Sequence, residues 1–157
     1  MQKISPFLWF DSEAEAAVTF YLSLFEDSRI TTTLRYPQNS TIGEPGSVMS
    51  LGFELNGQQF MALNGGPEFR FTPAISFYVH CEDQAEIDRL WNALLDGGEP
   101  QQCGWITDRF GVTWQIVPTI LDTFLTDEDQ EKVQRVTEAF LKMEKFDIPT
   151  LEAAYAG

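Results

Sequence analysis

The sequence predicts an α+β fold made of two β-α-β-β-β modules followed by a helical tail, on three observations. Strand-then-helix starts occur twice, at Ser12 with Glu15 and at Asp83 with Glu86, each with the spacing of a capping box. Hairpin signals follow both. One is Asn56-Gly57; the other is the Asp108-Arg-Phe-Gly111 loop ahead of the β-branched and aromatic run 112–117, where Gly111 can take the positive φ that such loops need. Setting Ser12 on Asp83 then superposes the two halves, with Ser5 on Ser76, Phe7 on Tyr78 and Trp9 on His80.

In the first module, residues 4–10 form a short apolar run that reads as a strand, and Val18, Tyr21, Leu22 and Phe25 then line one helical face. Residues 28–36, with three threonines, read as a strand, 37–47 as a polar loop, and 48–55 with 58–64 as a hairpin. In the second module, 74–81 alternates as a strand. Ile87, Leu90, Trp91 and Leu94 make a helical stripe, Gly97-Gly98 ends it, and 101–107 with 112–117 supply the closing strands. Strand alternation places Ser5, Phe7 and Trp9 on one face, with Ile4, Pro6, Leu8 and Phe10 on the helix side; Ser76, Tyr78 and His80 likewise oppose Ile75, Phe77 and Val79. Two modules that each expose one sheet face can bury those faces by pairing.

After Pro118, Thr126 and Asp129 open a third helix whose Val133, Val136, Phe140 and Met143 recur at helical spacing to about Lys145, and 147–155 reads as a final helical turn. That stripe fits docking on the body or on a second subunit better than cofactor binding. The expected division is 1–118, holding modules 1–66 and 74–118, and a helical extension 119–157.

A chain of 157 residues suits one domain or two half-domains sharing a core, and should bury roughly two-thirds of its unfolded surface. Apolar content of 43% and aromatic content of 13% rule against wholesale disorder. No apolar run approaches the ~18 residues of a membrane span, and residues 4–10 are too short and too poorly flanked by positive charge for a signal peptide. A cytoplasmic protein is expected. The net charge of −14 repels phosphate backbones and anionic lipid, so neither nucleic acid nor membrane is expected as a partner. Cys81 and Cys103 form no C-x-x-C pair and read as reduced, buried thiols.

Several stretches together resemble one family. They are Pro6-Phe-Leu-Trp-Phe-Asp11, Phe20-Tyr21 and Leu24-Phe25 with Ser28-Arg29, Asn64-Gly65-Gly66, the Asp108 to Gln115 hairpin, and the tail from Leu141-Lys-Met143 to Leu151-Glu-Ala-Ala-Tyr155. The resemblance is to the PhnB-like, 3-demethylubiquinone-9 3-methyltransferase-like family of the glyoxalase, bleomycin-resistance and dioxygenase (vicinal oxygen chelate) superfamily. It implies paired βαβββ modules forming a cup-shaped mixed sheet, usually in a homodimer. Metal-dependent relatives place His and Glu ligands in the cup at positions that fall near Ser5 or Pro6, Ala62, Ser76 and Gln115 here. None of these residues is a carboxylate, imidazole or thiolate, so no metal and no cofactor are expected. The methyltransferase label implies an S-adenosylmethionine site, yet no glycine-rich strand-to-helix turn is present, since Gly65-Gly66 precedes Pro67 and another strand.

His80, the only histidine, is a candidate general base, and Asp108 a candidate acid or base. A strand end favours a structural histidine, and a turn favours an aspartate that accepts backbone N–H bonds. Phe7, Trp9, Tyr78 and Trp105 can line a pocket for a flat apolar ligand, with Asn64, Ser76 and Gln115 orienting it, or can simply fill the core. Glu54 and Glu68 fit a solvated edge. The expected function is therefore metal-independent binding of a small apolar or aromatic molecule. The alternatives are an enzyme (lyase, isomerase, dioxygenase or methyltransferase) and an interaction module with a filled cup.

Overall fold

The computed structural model describes residues 2–157, which fall into two compact units divided between Phe71 and Thr72. The first holds β1 (Phe7–Phe10), α1 (Ala14–Leu24), β2 (Arg29–Arg35), β3 (Val48–Leu55) and β4 (Gln58–Asn64). The second holds β5 (Phe77–Cys81), α2 (Gln84–Leu95), β6 (Glu99–Pro100), β7 (Trp105–Thr107) and β8 (Thr113–Pro118), then α3 (Thr119–Leu125), α4 (Gln130–Phe140) and α5 (Ile148–Ala156). The sheets run β1-β4-β3-β2 and β5-β8-β7-β6. In each, the first strand lies parallel to the fourth and the other pairings are antiparallel. The repeat expected from the sequence is thus an element-for-element repeat of topology.

Period-two alternation decides which residues meet the helices. In the first unit Leu8, Phe10, Leu51, Phe53, Phe60 and Ala62 are buried beside Ala17, Val18 and Tyr21 of α1. In the second, Ile106, Trp114 and Ile116 are buried with Ile87, Leu90, Trp91 and Leu94 of α2. Each Leu, Ile, Val or Phe side chain among them contributes roughly 1.5–3 kcal/mol by leaving water. Asn56 (φ 48°) and Gly57 (φ 78°) both take the left-handed conformation that a two-residue hairpin needs, and they set the β3–β4 register at Leu55 opposite Gln58.

The two helix starts differ. Asp83 Oδ1 accepts from Glu86 N at 2.8 Å, so Asp83 caps α2 as expected, while Glu86 Oε2 accepts from Glu82 N at 2.8 Å, one residue ahead of the cap N–H that a capping box uses. Ser12 does not cap α1. Asn64 Oδ1 accepts from Ala14 N at 2.8 Å instead, while Asn64 Nδ2 donates to Val48 O at 3.1 Å. Asn64 pairs with Phe10 at the end of β4; the matching position in the second sheet, opposite Cys81, is Pro118, which has no side chain to do this.

Other differences follow from strand length. β1 and β5 begin at Phe7 and Phe77, so Ile4 and Ile75 are exposed rather than packed on helices. The expected 101–107 strand is broken: Cys103 (φ 59°) and Gly104 (φ 79°) form a tight loop whose N–H groups donate to Met143 O and Glu144 O, both at 2.8 Å. That loop docks the tail, and Phe146 lies so close to Gly104 that a side chain there would collide with its ring. The tail helix expected to about Lys145 ends at Phe140, and α3, unmarked by a cap in the sequence, precedes it. Asp129 does cap α4. Among the described residues no helix is long and apolar enough to cross a membrane.

Candidate functional site

The sheet faces turned away from the helices carry the candidate residues, and the register arranges them in rows. In the second unit Gln115 of β8 sits between Tyr78 of β5 and Trp105 of β7. Gln115 Nε2 donates to Ser76 Oγ at 2.9 Å, and the Tyr78 and His80 rings lie 4.8 Å apart. One row further on, the Thr107 and Thr113 hydroxyls are 3.2 Å apart and Gln101 Nε2 donates to Thr107 Oγ1 at 2.7 Å. Five of the expected site residues, Ser76, Tyr78, His80, Trp105 and Gln115, therefore share one face. Gln101, Thr107 and Thr113 extend it and escaped the sequence reading, although the alternation of Thr113 with Gln115 carries the signal.

Burial raises the Tyr78 phenol above its ordinary range, with smaller contributions from the Asp122 carboxylate and Cys81. Tyr78 therefore stays a neutral hydrogen-bond donor at physiological pH. Asp108 is not on this face. It is buried on the helix side, where its carboxylate holds Phe110 N, Val112 N and the Trp114 indole.

In the first unit the matching row is Phe7, Met61, Gly52 and Thr32. Phe7 is 52% exposed and Met61 38% exposed. Trp9 shares their face, but its Nε1 donates to Gly66 O at 3.0 Å, and its ring meets Phe69 edge-on at 4.9 Å and covers Gly65. Asn64 belongs to the other face and spends its amide on the backbone, as described. Ala62 too points to the helix side and is fully buried, so the position equivalent to Gln115 is Met61. Glu54 pairs with Arg29 at 3.0 Å across β2 and β3, and Glu68 is exposed.

The metal used by some proteins of this fold needs carboxylate or imidazole donors, and the side chains at these positions, Ser5, Met61, Ser76 and Gln115, do not fit that demand. Among the described residues no three His, Cys, Asp or Glu side chains gather in metal-binding geometry. What the second face offers is neutral hydrogen bonding beside aromatic rings.

The profile of the family described as 3-demethylubiquinone-9 3-methyltransferase matches residues 2–117, both modules without the tail helices. Among solved structures, a PhnB protein from Bacillus cereus is 39% identical over 75% of this chain and 100% of its own, with a TM-score of 0.70. A Pseudomonas aeruginosa protein shares the fold at 23% identity, over 75% of this chain and 98% of its own, with a TM-score of 0.62. A lactoylglutathione lyase from Agrobacterium tumefaciens is 15% identical over 76% of this chain and 95% of its own, with a TM-score of 0.43. No curated protein matches the chain. Profile and identity agree with the repeated βαβββ topology, and the chain belongs to the PhnB-like, 3-demethylubiquinone-9 3-methyltransferase family.

Proposed function

We propose that the protein binds a small apolar or aromatic molecule, without a metal, on the second sheet's face away from α2, and that it does so as a homodimer. The observation that carries this reading is the row Tyr78, Gln115, Trp105, in which a neutral polar group stands between two aromatic residues. Ligand sites are commonly apolar walls with a few placed hydrogen-bonding groups. The homodimer rests on the family resemblance.

A catalytic reading draws on one observation, the contact of the Tyr78 and His80 rings, which sets a phenol beside an imidazole. Such a pair suits proton transfer in a lyase or isomerase. The family's methyltransferase label finds less support, because the strand-to-helix turns 11–13 and 82–83 contain no glycine to cradle a nucleotide-like cofactor.

Native mass spectrometry with elemental analysis of the same sample tests the binding reading. The expected result is a metal-free dimer that carries, or takes up, an uncharged organic molecule. One tightly held divalent ion per chain overturns it.

A further inference from the structure

The Gln115 to Ser76 hydrogen bond uses one half of each group. An amide carries both an acceptor and donors, and a hydroxyl is at once donor and acceptor. As oriented here, Nε2 donates to Oγ, which leaves the Gln115 carbonyl as an acceptor beside the Ser76 hydroxyl proton. Turning the amide over reverses the roles and leaves the sum unchanged, with Ser76 donating to Oε1 and an Nε2 donor standing beside an Oγ acceptor. Either way the pair presents one donor next to one acceptor. Neither side chain makes a second hydrogen bond among the described residues. Both are half-buried, so a ligand that covered the pair without answering it would strand polar groups.

The surroundings select further. Tyr78 and Trp105 flank Gln115 in register and set an aromatic side chain on either side of a molecule lying over it. The Asp122 carboxylate acts on Tyr78, and the chain as a whole carries −14, so the field opposes an anion. We infer that the site takes a neutral aromatic lactam or carboxamide, whose adjacent C=O and N–H meet the Ser76–Gln115 pair in two parallel hydrogen bonds. This rests on the binding reading above and names its ligand class. The first unit has Ser5 and Met61 at the matching positions, where a thioether gives no such pair, so only the second face reads this edge.

The test is a ¹H–¹⁵N titration with three probes: quinolin-2(1H)-one, its N-methyl derivative and 2-naphthoate. The lactam binds tightest; the N-methyl derivative, which keeps the ring and carbonyl but lacks the donor, binds about tenfold more weakly. The naphthoate anion binds more weakly than the lactam. Gln115→Met, which copies the first module's residue, removes the lactam's advantage over its N-methyl derivative. A dispersed spectrum shows that this variant folds, and Ser76→Ala makes the same test if it does not. Equal affinity for lactam and N-methyl derivative, or tightest binding of naphthoate, overturns the inference while the binding reading stands. Binding of none of the three at millimolar concentration overturns both.

Discussion

The Trp114 indole Nε1 donates to Asp108 Oδ2 across 2.9 Å, with the carboxylate residue 4% exposed and the indole residue 2%. The other carboxylate oxygen accepts from Phe110 N at 2.8 Å and Val112 N at 3.1 Å. The β7–β8 loop would otherwise bury these donors without partners, and Gly111 (φ 88°) closes it with a bond from its N–H to Asp108 O. Asp108 is therefore the loop's internal anchor, and its place on the helix side separates it from the face that carries Gln115.

Asp108→Asn keeps an oxygen for the loop N–H groups but turns an amide N–H₂ toward the Trp114 N–H. The expected loss is about 2 kcal/mol, since a buried donor is left unmet. In thermal unfolding that is a drop of about 4–8 °C for a chain of this size. Asp108→Ala, which strands all three donors, costs more. Unchanged melting of both variants refutes the anchor role.

Gly65 lies against Trp9 so closely that an added Cβ would stand 2.3 Å from the indole ring. The indole is fixed by its bond to Gly66 O and by Phe69, so it cannot simply swing away. Gly65→Ala is expected to destabilise by about 1–3 kcal/mol through overpacking, and to shift the tryptophan emission. Urea denaturation followed by fluorescence reads both.

How much of this was legible in the sequence depends on whether the signal was local. The Asn56-Gly57 turn, the Asp83 cap and the Ile87, Leu90, Trp91, Leu94 stripe are decided by neighbours within one turn, and each is as the sequence indicates. Ser12 carried an equally good capping signature. It lost to Asn64, fifty residues from Ala14 and brought there only by the parallel β1–β4 pairing. Nothing in a local window contains that competition. The same holds for the Cys103–Gly104 loop, which interrupts a good strand pattern because its N–H groups are taken up by residues 143 and 144 of the tail.

The site was legible to the extent that faces could be read. Alternation put Ser76, Tyr78 and His80 together, and the register supplies what alternation cannot, the placement of Gln115 between Tyr78 and Trp105. Ala62 was misplaced by one residue, and with period two a single step moves a side chain to the opposite face. Trp9 reads from sequence as free lining because its partners, Gly66 and Phe69, lie on a loop whose path no pattern announces.

Tyr155 predicts a pH dependence of the tail. Its ring stacks on Phe124 at 4.2 Å, its hydroxyl donates to Asp127, and Arg135 donates to the Ala154 and Tyr155 carbonyls at 2.9 and 3.1 Å. The hydroxyl bond lowers the Asp127 carboxyl from 3.8 and raises the Tyr155 phenol from 10.0. A lowered carboxyl contributes stability above its unfolded value and loses it as pH falls through the folded one; a raised phenol contributes below its unfolded value and loses it as pH rises. Tyr155→Phe is therefore expected to be less stable than the parent at pH 7. The gap narrows below pH 3.8 and again above pH 10.0. A constant gap across chemical denaturation series at these pH values would disprove the pairing.

Cys81 gives the other titration. It is fully buried at the end of β5, and burial, with a smaller contribution from Glu86, pushes its thiol from 9.0 up to about 12. The thiolate is the nucleophile, so Cys81 should resist iodoacetamide at pH 8 in the native protein and react once urea exposes it. Peptide mass mapping distinguishes it from Cys103. Because the folded thiol is raised, its contribution to stability is complete below pH 9.0 and is lost as pH climbs toward about 12, since the unfolded chain releases the proton first. Cys81→Ala lacks that loss, so its stability falls less steeply between pH 9 and 12 than the parent's. Rapid native labelling of Cys81, or parallel stability curves for the two proteins, would show that the thiol is open to water rather than sealed beneath α2.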